Sequence, residues 1–127
     1  MSKQRKYGKS AKELRETELR RVNRLKAEWE AKGYFVMTNE QFHAGVDLVV
    51  VDTSLNTFNI VRVIESTNWN SRGYLNNKRF DRYKESLNRF EPTTREIVFS
   101  YESNLSPAQK KEFEDSGIIV TILDYQD

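Results

Sequence analysis

Apolar side chains recur every three to four positions over residues 11–32, which predicts an amphipathic helix that Gly33 ends. The apolar face of this helix carries Leu14, Val22, Leu25 and Trp29. Glu18 falls in the middle of the same face. Because burying an unpaired carboxylate costs free energy, Glu18 either points into a polar site or lies near an edge where it reaches solvent.

Two apolar runs joined by a short polar loop follow, at residues 45–51 and 60–67. Apolar residues occupy both faces of each run, so the runs predict central strands that are covered on both sides. A hairpin turning about Asn56 pairs residues whose numbers sum to 112. Asp47 and Glu65 then face each other, and directly opposed side chains of neighbouring strands are in contact.

The remaining pattern predicts a mixed α/β fold, with a central sheet of about five strands flanked by helices. A short strand precedes the hairpin, and a polar connection links the two. After the hairpin come a helix, a strand, a second helix with an N-cap at Ser106 and Pro107 in its first turn, and a final strand. The expected bounds are 34–37, 38–44, 75–89, 95–101, 106–117 and 118–125.

Composition indicates one domain over residues 11–127, preceded by a basic tail over residues 1–10. The tail either adds phosphate contacts or is an inert terminus. No run approaches the roughly 18 apolar residues of a membrane span, and the charged start lacks the apolar stretch of a signal peptide. A cytoplasmic location without a membrane partner is therefore expected. Cysteine is absent and His43 is the single histidine, which excludes disulfides and thiolate zinc sites.

The predicted acid pair, Asp47 and Glu65, is the candidate chemical site. Two adjacent carboxylates need a proton or a cation between them, and oxygen ligands suit Mg²⁺, which commonly binds one or two carboxylates plus substrate phosphates. The alternative is two ordinary carboxylates at a sheet edge. A register slip of one residue would turn one of them to the other face.

Basic and amide side chains follow the second acid. Residues 66–80 hold three cations and four asparagines but no acid. Such side chains suit contacts with phosphates and base edges, and aromatic rings can stack on bases. The alternative is a solvated loop and helix whose charges provide solubility. The candidate nucleic-acid contacts are Asn68, Trp69, Asn70, Arg72, Tyr74, Asn77, Lys78, Arg79 and Arg82.

These features together resemble the PD-(D/E)xK nuclease superfamily, with its restriction-endonuclease-like fold, and in layout they are closest to archaeal Holliday-junction resolvases and to viral or plasmid nucleases. Glu18 matches an acid in the first helix, Asp47 an acid entering a strand, and Glu65 the acid at the end of the hairpin. The layout matches over residues 11–125. The family pattern expects lysine two residues after the second acid, where this chain has Thr67.

The resemblance implies a metal-dependent nuclease, acting on DNA rather than RNA. Asp47 and Glu65, with the backbone carbonyl of Ser66, would hold Mg²⁺ or Mn²⁺, and Glu18 would complete the site directly or through water. A bound ion of this kind activates a water for attack on phosphorus. A cation would stabilise the developing charge. Because Thr67 cannot supply it, the candidates are Lys78, Lys84 and Arg72.

Three alternatives remain open at this point. The same fold could be a catalytically degenerate nucleic-acid-binding or regulatory module, as Thr67 suggests. A protein-interaction domain could use Trp69 and Tyr74 as anchors. His43 could serve as a general base in place of an acid. A homodimer is also open, since resolvase-like members act as dimers.

Overall fold

The computed structural model describes residues 10–67, 77–100 and 105–123. This part of the chain contains four α-helices, one short 3-10 helix (Ser54–Asn56) and five strands, and the expected mixed α/β architecture is confirmed. The elements are α1 (Ala11–Ala31), β1 (Phe35–Thr38), α2 (Asn39–Phe42), β2 (Leu48–Asp52), β3 (Asn59–Thr67), α3 (Asn77–Asn88), β4 (Thr94–Phe99), α4 (Pro107–Asp115) and β5 (Ile118–Ile122). None of the described helices is long and apolar enough to cross a bilayer.

The five strands form one sheet in the order β1-β2-β3-β4-β5. Strand β2 pairs antiparallel with both β1 and β3, whereas β3, β4 and β5 run parallel to each other. A parallel connection needs a crossover on one face of the sheet. The crossovers pass through α3 and α4, and the sheet is therefore mixed.

The hairpin register agrees with the expectation where the acids lie. Leu48 pairs with Ile64 and Val49 with Val63, so the numbers of each pair sum to 112. A bulge between Val50 and Val51 then shifts the pairing by one residue toward the turn. The expected register is therefore wrong at the turn, because a bulge places an extra residue in one strand.

The sheet has an apolar core on each face, which explains the continuous apolar runs of the hairpin. Alternate residues of a strand point to opposite faces, so Leu48 and Val50 contact one core and Val49 and Val51 the other. Helix α1 covers the first core through Leu25. Helices α3 and α4 cover the second through Phe80, Tyr83, Leu87 and Phe113.

The polar connection before the hairpin contains the short helix α2, which the sequence pattern did not predict. The Gln41 side chain accepts a hydrogen bond from the Thr38 backbone N–H at 2.9 Å, and the Asn39 side chain accepts one from Gly45 N–H at 2.8 Å. Gly45 has φ +83°, and a β-carbon there would lie 2.5 Å from the Arg89 guanidinium. Glycine is therefore required where the chain turns toward Asp47.

Buried Arg95 connects the ends of the two helices on the second core. Its guanidinium donates to the Asn88 side chain, at the end of α3, and to the Ser116 carbonyl, just after α4, at 3.0 Å. Hydrogen bonds that involve a charged group are stronger than neutral ones. Arg95 thereby fixes α3, which carries part of the candidate site, relative to the sheet.

Candidate active site

Asp47 and Glu65 lie side by side at the end of the hairpin. Leu48 pairs with Ile64, so Asp47 and Glu65 are the next pair along the two strands. The two carboxyls are close enough for the charge of Asp47 to raise the pKa of Glu65. Asp47 Oδ2 accepts a hydrogen bond from the Ser66 backbone N–H at 2.7 Å. A backbone group thus orients the Asp47 carboxylate.

The pair cannot carry two negative charges without a compensating cation. Burial and the charge of Asp47 raise the pKa of Glu65 to about 10. The free energy of keeping a buried anion beside another anion is the physical cause. In the protein without a metal ion, Glu65 therefore holds a proton at neutral pH.

Glu18 is the third acid at this place. Burial of the carboxyl and the nearby charge of Asp47 raise its pKa, while the positive charges of Arg21 and Arg79 partly oppose that rise. The residue as a whole is exposed. Glu18 therefore combines the two alternatives that the helix pattern left open, because it faces the acid pair and also reaches solvent.

The three acids line one open cleft of about 300 Å³ between the end of the sheet and α3. Its lining includes Glu18, Asp47, Glu65, Ser66, Arg82 and Tyr83. The acids come from α1 and the hairpin, and the cation comes from α3. A phosphate bound in this cleft would be close to both the acids and the guanidinium.

Thr67 occupies the position at which the PD-(D/E)xK pattern expects lysine, and it is only 1% exposed. The Tyr83 hydroxyl donates a hydrogen bond to Thr67 Oγ1 at 2.9 Å. The buried guanidinium of Arg21 donates to the Thr67 carbonyl at 2.8 Å. A neutral, buried hydroxyl that accepts a hydrogen bond from Tyr83 therefore occupies this position.

Arg21 is a residue that the sequence reading missed. It is 1% exposed, although a buried arginine is rare unless its charge is compensated. Its position three residues after Glu18 puts both on the same side of α1. That spacing was the available signal, because a cation beside an acid on an otherwise apolar helix face indicates a shared polar site.

Neither predicted lysine is among the described residues that line the cleft. The Lys84 ammonium pairs with Glu112 of α4 at 2.5 Å and lies 5.2 Å from the centre of the Phe80 ring. Lys78 is exposed in the first turn of α3. The cations that act on the acids are arginines, since Arg82 lines the cleft and the charge of Arg79 reaches Glu18.

The other predicted contacts are located as follows. His43 is exposed at the end of α2 with φ +54°, and it is not among the described residues lining the cleft. Asn77 is the exposed first residue of α3. Five further candidates and the basic tail over residues 1–9 lie outside the described residues. Those five are Asn68, Trp69, Asn70, Arg72 and Tyr74.

The donor set suits a hard divalent cation bound through two carboxylates. No group of three or more His, Cys, Asp or Glu in the described ranges is arranged to hold a metal ion. Mg²⁺ does not need such a group, because it commonly keeps several waters and uses one or two carboxylates together with substrate phosphates. Asp47 and Glu65 fit that requirement, and a cation would take the place of the proton between them.

No family model, curated protein or solved structure matches this chain significantly.

Proposed function

We propose that this protein is a metal-dependent nuclease that hydrolyses phosphodiester bonds in DNA. The observation that supports the proposal most directly is the contact between the Asp47 and Glu65 carboxyls at an open cleft. Two acids forced together are unfavourable without a cation. Such a pair beside an arginine suits binding of a metal ion and a phosphate better than it suits folding.

Asp47 and Glu65 would hold Mg²⁺ or Mn²⁺. An ion bound there polarises a phosphoryl oxygen and lowers the pKa of a bound water. The Ser66 backbone N–H donates a hydrogen bond to Oδ2 of Asp47 and so holds this carboxylate in place. Glu18 is the base in this proposal, because its raised pKa makes it a better acceptor of the water's proton than an ordinary glutamate.

Arginine takes over the electrostatic part of the missing lysine's role. Arg82 lines the same cleft as the acids, and a guanidinium can bind two phosphate oxygens at once. A guanidinium is a permanent cation, so it would stabilise charge on the phosphate but would not accept a proton. The proton transfer therefore falls to Glu18.

A non-catalytic nucleic-acid-binding module is the second candidate, and Thr67 favours it. The hydroxyl of Thr67 is buried and bonded to Tyr83, so it offers the substrate neither a charge nor a proton. In this alternative the acid pair binds a metal ion that anchors a phosphate, and no bond is cleaved.

Cleavage of labelled single-stranded, double-stranded and branched DNA in Mg²⁺ or Mn²⁺ separates the candidates. A nuclease gives metal-dependent products that Asp47→Ala and Glu65→Ala abolish while most binding remains. Undiminished cleavage by either purified variant would refute the nuclease assignment. Binding by the wild type without cleavage in any metal would favour the second candidate.

A further inference from the structure

A second groove adjoins the cleft on the side of α1. It has a volume of about 430 Å³ and shares Glu18, Asn39 and Asp47 with the cleft. The two therefore form a continuous surface that passes the acid pair. We call the second region the α1 groove, with Leu19, Val22 and Asn23 as its defining side chains.

One face of α1 forms the wall of the α1 groove. Arg15, Glu18, Leu19, Val22 and Asn23 all line it, and their spacing of three and four residues puts them on the same side of the helix. The opposite wall comes from the chain around the start of α2, including Thr38 and Glu40. The groove is thus built from ordered elements.

The groove combines an apolar surface with a polar edge. Leu19 is 61% exposed, which leaves apolar surface open to a ligand. Asn23 is also exposed, and its amide carries both hydrogen-bond donors and an acceptor. A planar aromatic ring with hydrogen-bonding groups on its rim matches this combination, and a nucleobase is such a ring.

The charges in the groove argue against a phosphate there. Three acids, Glu18, Glu40 and Asp47, line it together with one cation, Arg15, so acids outnumber cations there and a phosphodiester is repelled. Arg82 lies in the cleft instead. A strand whose phosphate sits by Arg82 and the acids would therefore direct the adjoining base, rather than the next phosphate, toward Leu19.

We propose that the α1 groove binds one unpaired nucleobase next to the phosphate that the cleft holds. This inference rests on the proposed function, since it takes the cleft as the phosphate site. The base must be unpaired, because a paired base has its hydrogen-bonding edge occupied and its faces stacked. The substrate class is accordingly single-stranded or locally opened nucleic acid.

The test compares two short fluorescein-labelled probes by anisotropy, with Ca²⁺ replacing Mg²⁺ to limit turnover. One probe is an oligothymidylate and the other is a sugar-phosphate chain of equal length without bases. The wild type binds the oligothymidylate several-fold more tightly. Leu19→Ala lowers the preference for oligothymidylate about fivefold, as expected for losing a modest area of apolar contact. Asn23→Ala also lowers this preference.

Leu55→Ala is the matched control, because Leu55 is 91% exposed in the turn of the hairpin and is not among the described residues lining the groove. The Leu55→Ala variant should leave the preference for oligothymidylate over the chain without bases unchanged. Equal wild-type affinity for both probes, no binding of either, or an equal loss for both in Leu19→Ala would overturn the groove assignment. So would a Leu19→Ala effect on duplex DNA as large as that on the single strand.

A parallel cleavage assay in Mg²⁺ and Mn²⁺ keeps the two proposals apart. If the wild type prefers oligothymidylate through Leu19 but cleaves no DNA, the nuclease proposal is refuted and base binding in the α1 groove is supported. Cleavage together with equal affinity for the two probes refutes the groove alone.

Discussion

The Tyr83 hydroxyl donates a hydrogen bond to Thr67 Oγ1 at 2.9 Å, and both side chains are buried. This contact joins α3 to the last residue of β3, two positions after Glu65. It therefore positions Arg82, the neighbour of Tyr83, at the cleft. The same contact places a neutral pair two positions after Glu65, so in the proposed nuclease Arg82, among the described residues of the cleft, would supply the positive charge at a bound phosphate.

Removing either partner of this bond should destabilise the fold. Tyr83→Phe leaves Thr67 Oγ1 without its donor, and Thr67→Val leaves the Tyr83 hydroxyl buried without its acceptor. Each loss should lower the free energy of unfolding by about 1–3 kcal/mol. The double variant should lose less than the sum, because no polar group is then left unpaired. Urea denaturation measures all three.

Tyr34→Phe is the control for this cycle, because Tyr34 is only partly buried and contacts Trp29 through its ring. Its effect should stay within about 0.5 kcal/mol. Strictly additive effects of Tyr83→Phe and Thr67→Val would mean that the two side chains do not depend on each other.

The stability of the protein without metal should fall as the pH rises, through Glu65. Its pKa is raised from 4.5 to about 10, so the folded state holds a proton that the unfolded state has already lost. The resulting stabilisation is complete below about pH 4.5 and is lost as the pH rises toward 10. Glu65→Gln lacks this titration, so its stability relative to wild type should rise by up to about 1.4 kcal/mol per pH unit.

Urea unfolding in EDTA between pH 5 and pH 9 checks this expectation, with both proteins measured in the same buffers. A difference between wild type and Glu65→Gln that stays constant over that range would show that Glu65 ionises normally.

Binding of a divalent ion should release a proton. Mn²⁺ needs the ionised form of Glu65, and at neutral pH the carboxyl is protonated because burial and Asp47 raise its pKa. Affinity should therefore increase with pH, by up to about tenfold per unit. Calorimetry in two buffers with different ionisation enthalpies measures the released proton. Glu65→Gln should bind more weakly and release none, whereas a pH-independent affinity of the wild type would contradict the shared-proton account.

Two cations of α3 should differ in their effect on nucleic-acid binding. Arg82 lines the cleft, whereas Lys84 pairs with Glu112. Arg82→Ala should therefore weaken binding and reduce the slope of log affinity against log salt by about 0.7–0.9, the contribution of one phosphate contact. Lys84→Ala is the matched control, and it should leave the slope and cleavage unchanged while lowering stability by no more than about 1 kcal/mol. Equal slopes for the two variants would place the phosphate elsewhere.

The sequence predicted the acid pair from a turn assumed at Asn56, because apolar residues on both faces do not by themselves fix the register. The observed pairs Leu48–Ile64 and Val49–Val63 keep that register beside the acids, although it shifts at the turn. The bulge after Val50 was not predictable from that pattern. Leu55 and Asn56 adopt positive φ at the turn, and nothing in the apolar spacing indicates where the extra residue is accommodated.

The sequence named Arg79 and Arg82 as candidate contacts, but the partners of Lys84 and Arg21 could not be predicted, since they depend on contacts between distant elements. Lys84 and Glu112 are 28 positions apart, and their pairing requires the packing of α4 against α3. Arg21 and Thr67 are 46 positions apart. The spacing of Arg21 from Glu18 indicates a shared polar site, whereas Lys84 has no local feature that shows whether it faces the cleft or a neighbouring helix.

Single-turnover cleavage of end-labelled DNA in Mg²⁺ or Mn²⁺ tests the central claim most directly, with wild type, Glu65→Gln and Glu28→Gln compared at equal binding saturation. Glu28 is an exposed glutamate of α1 that pairs with Arg24, and its variant serves as the control. The account predicts metal-dependent cleavage by wild type and Glu28→Gln, stopped by EDTA, and binding with little or no cleavage by Glu65→Gln. Equal cleavage by all three proteins, or binding by the wild type without cleavage in either metal, would contradict it.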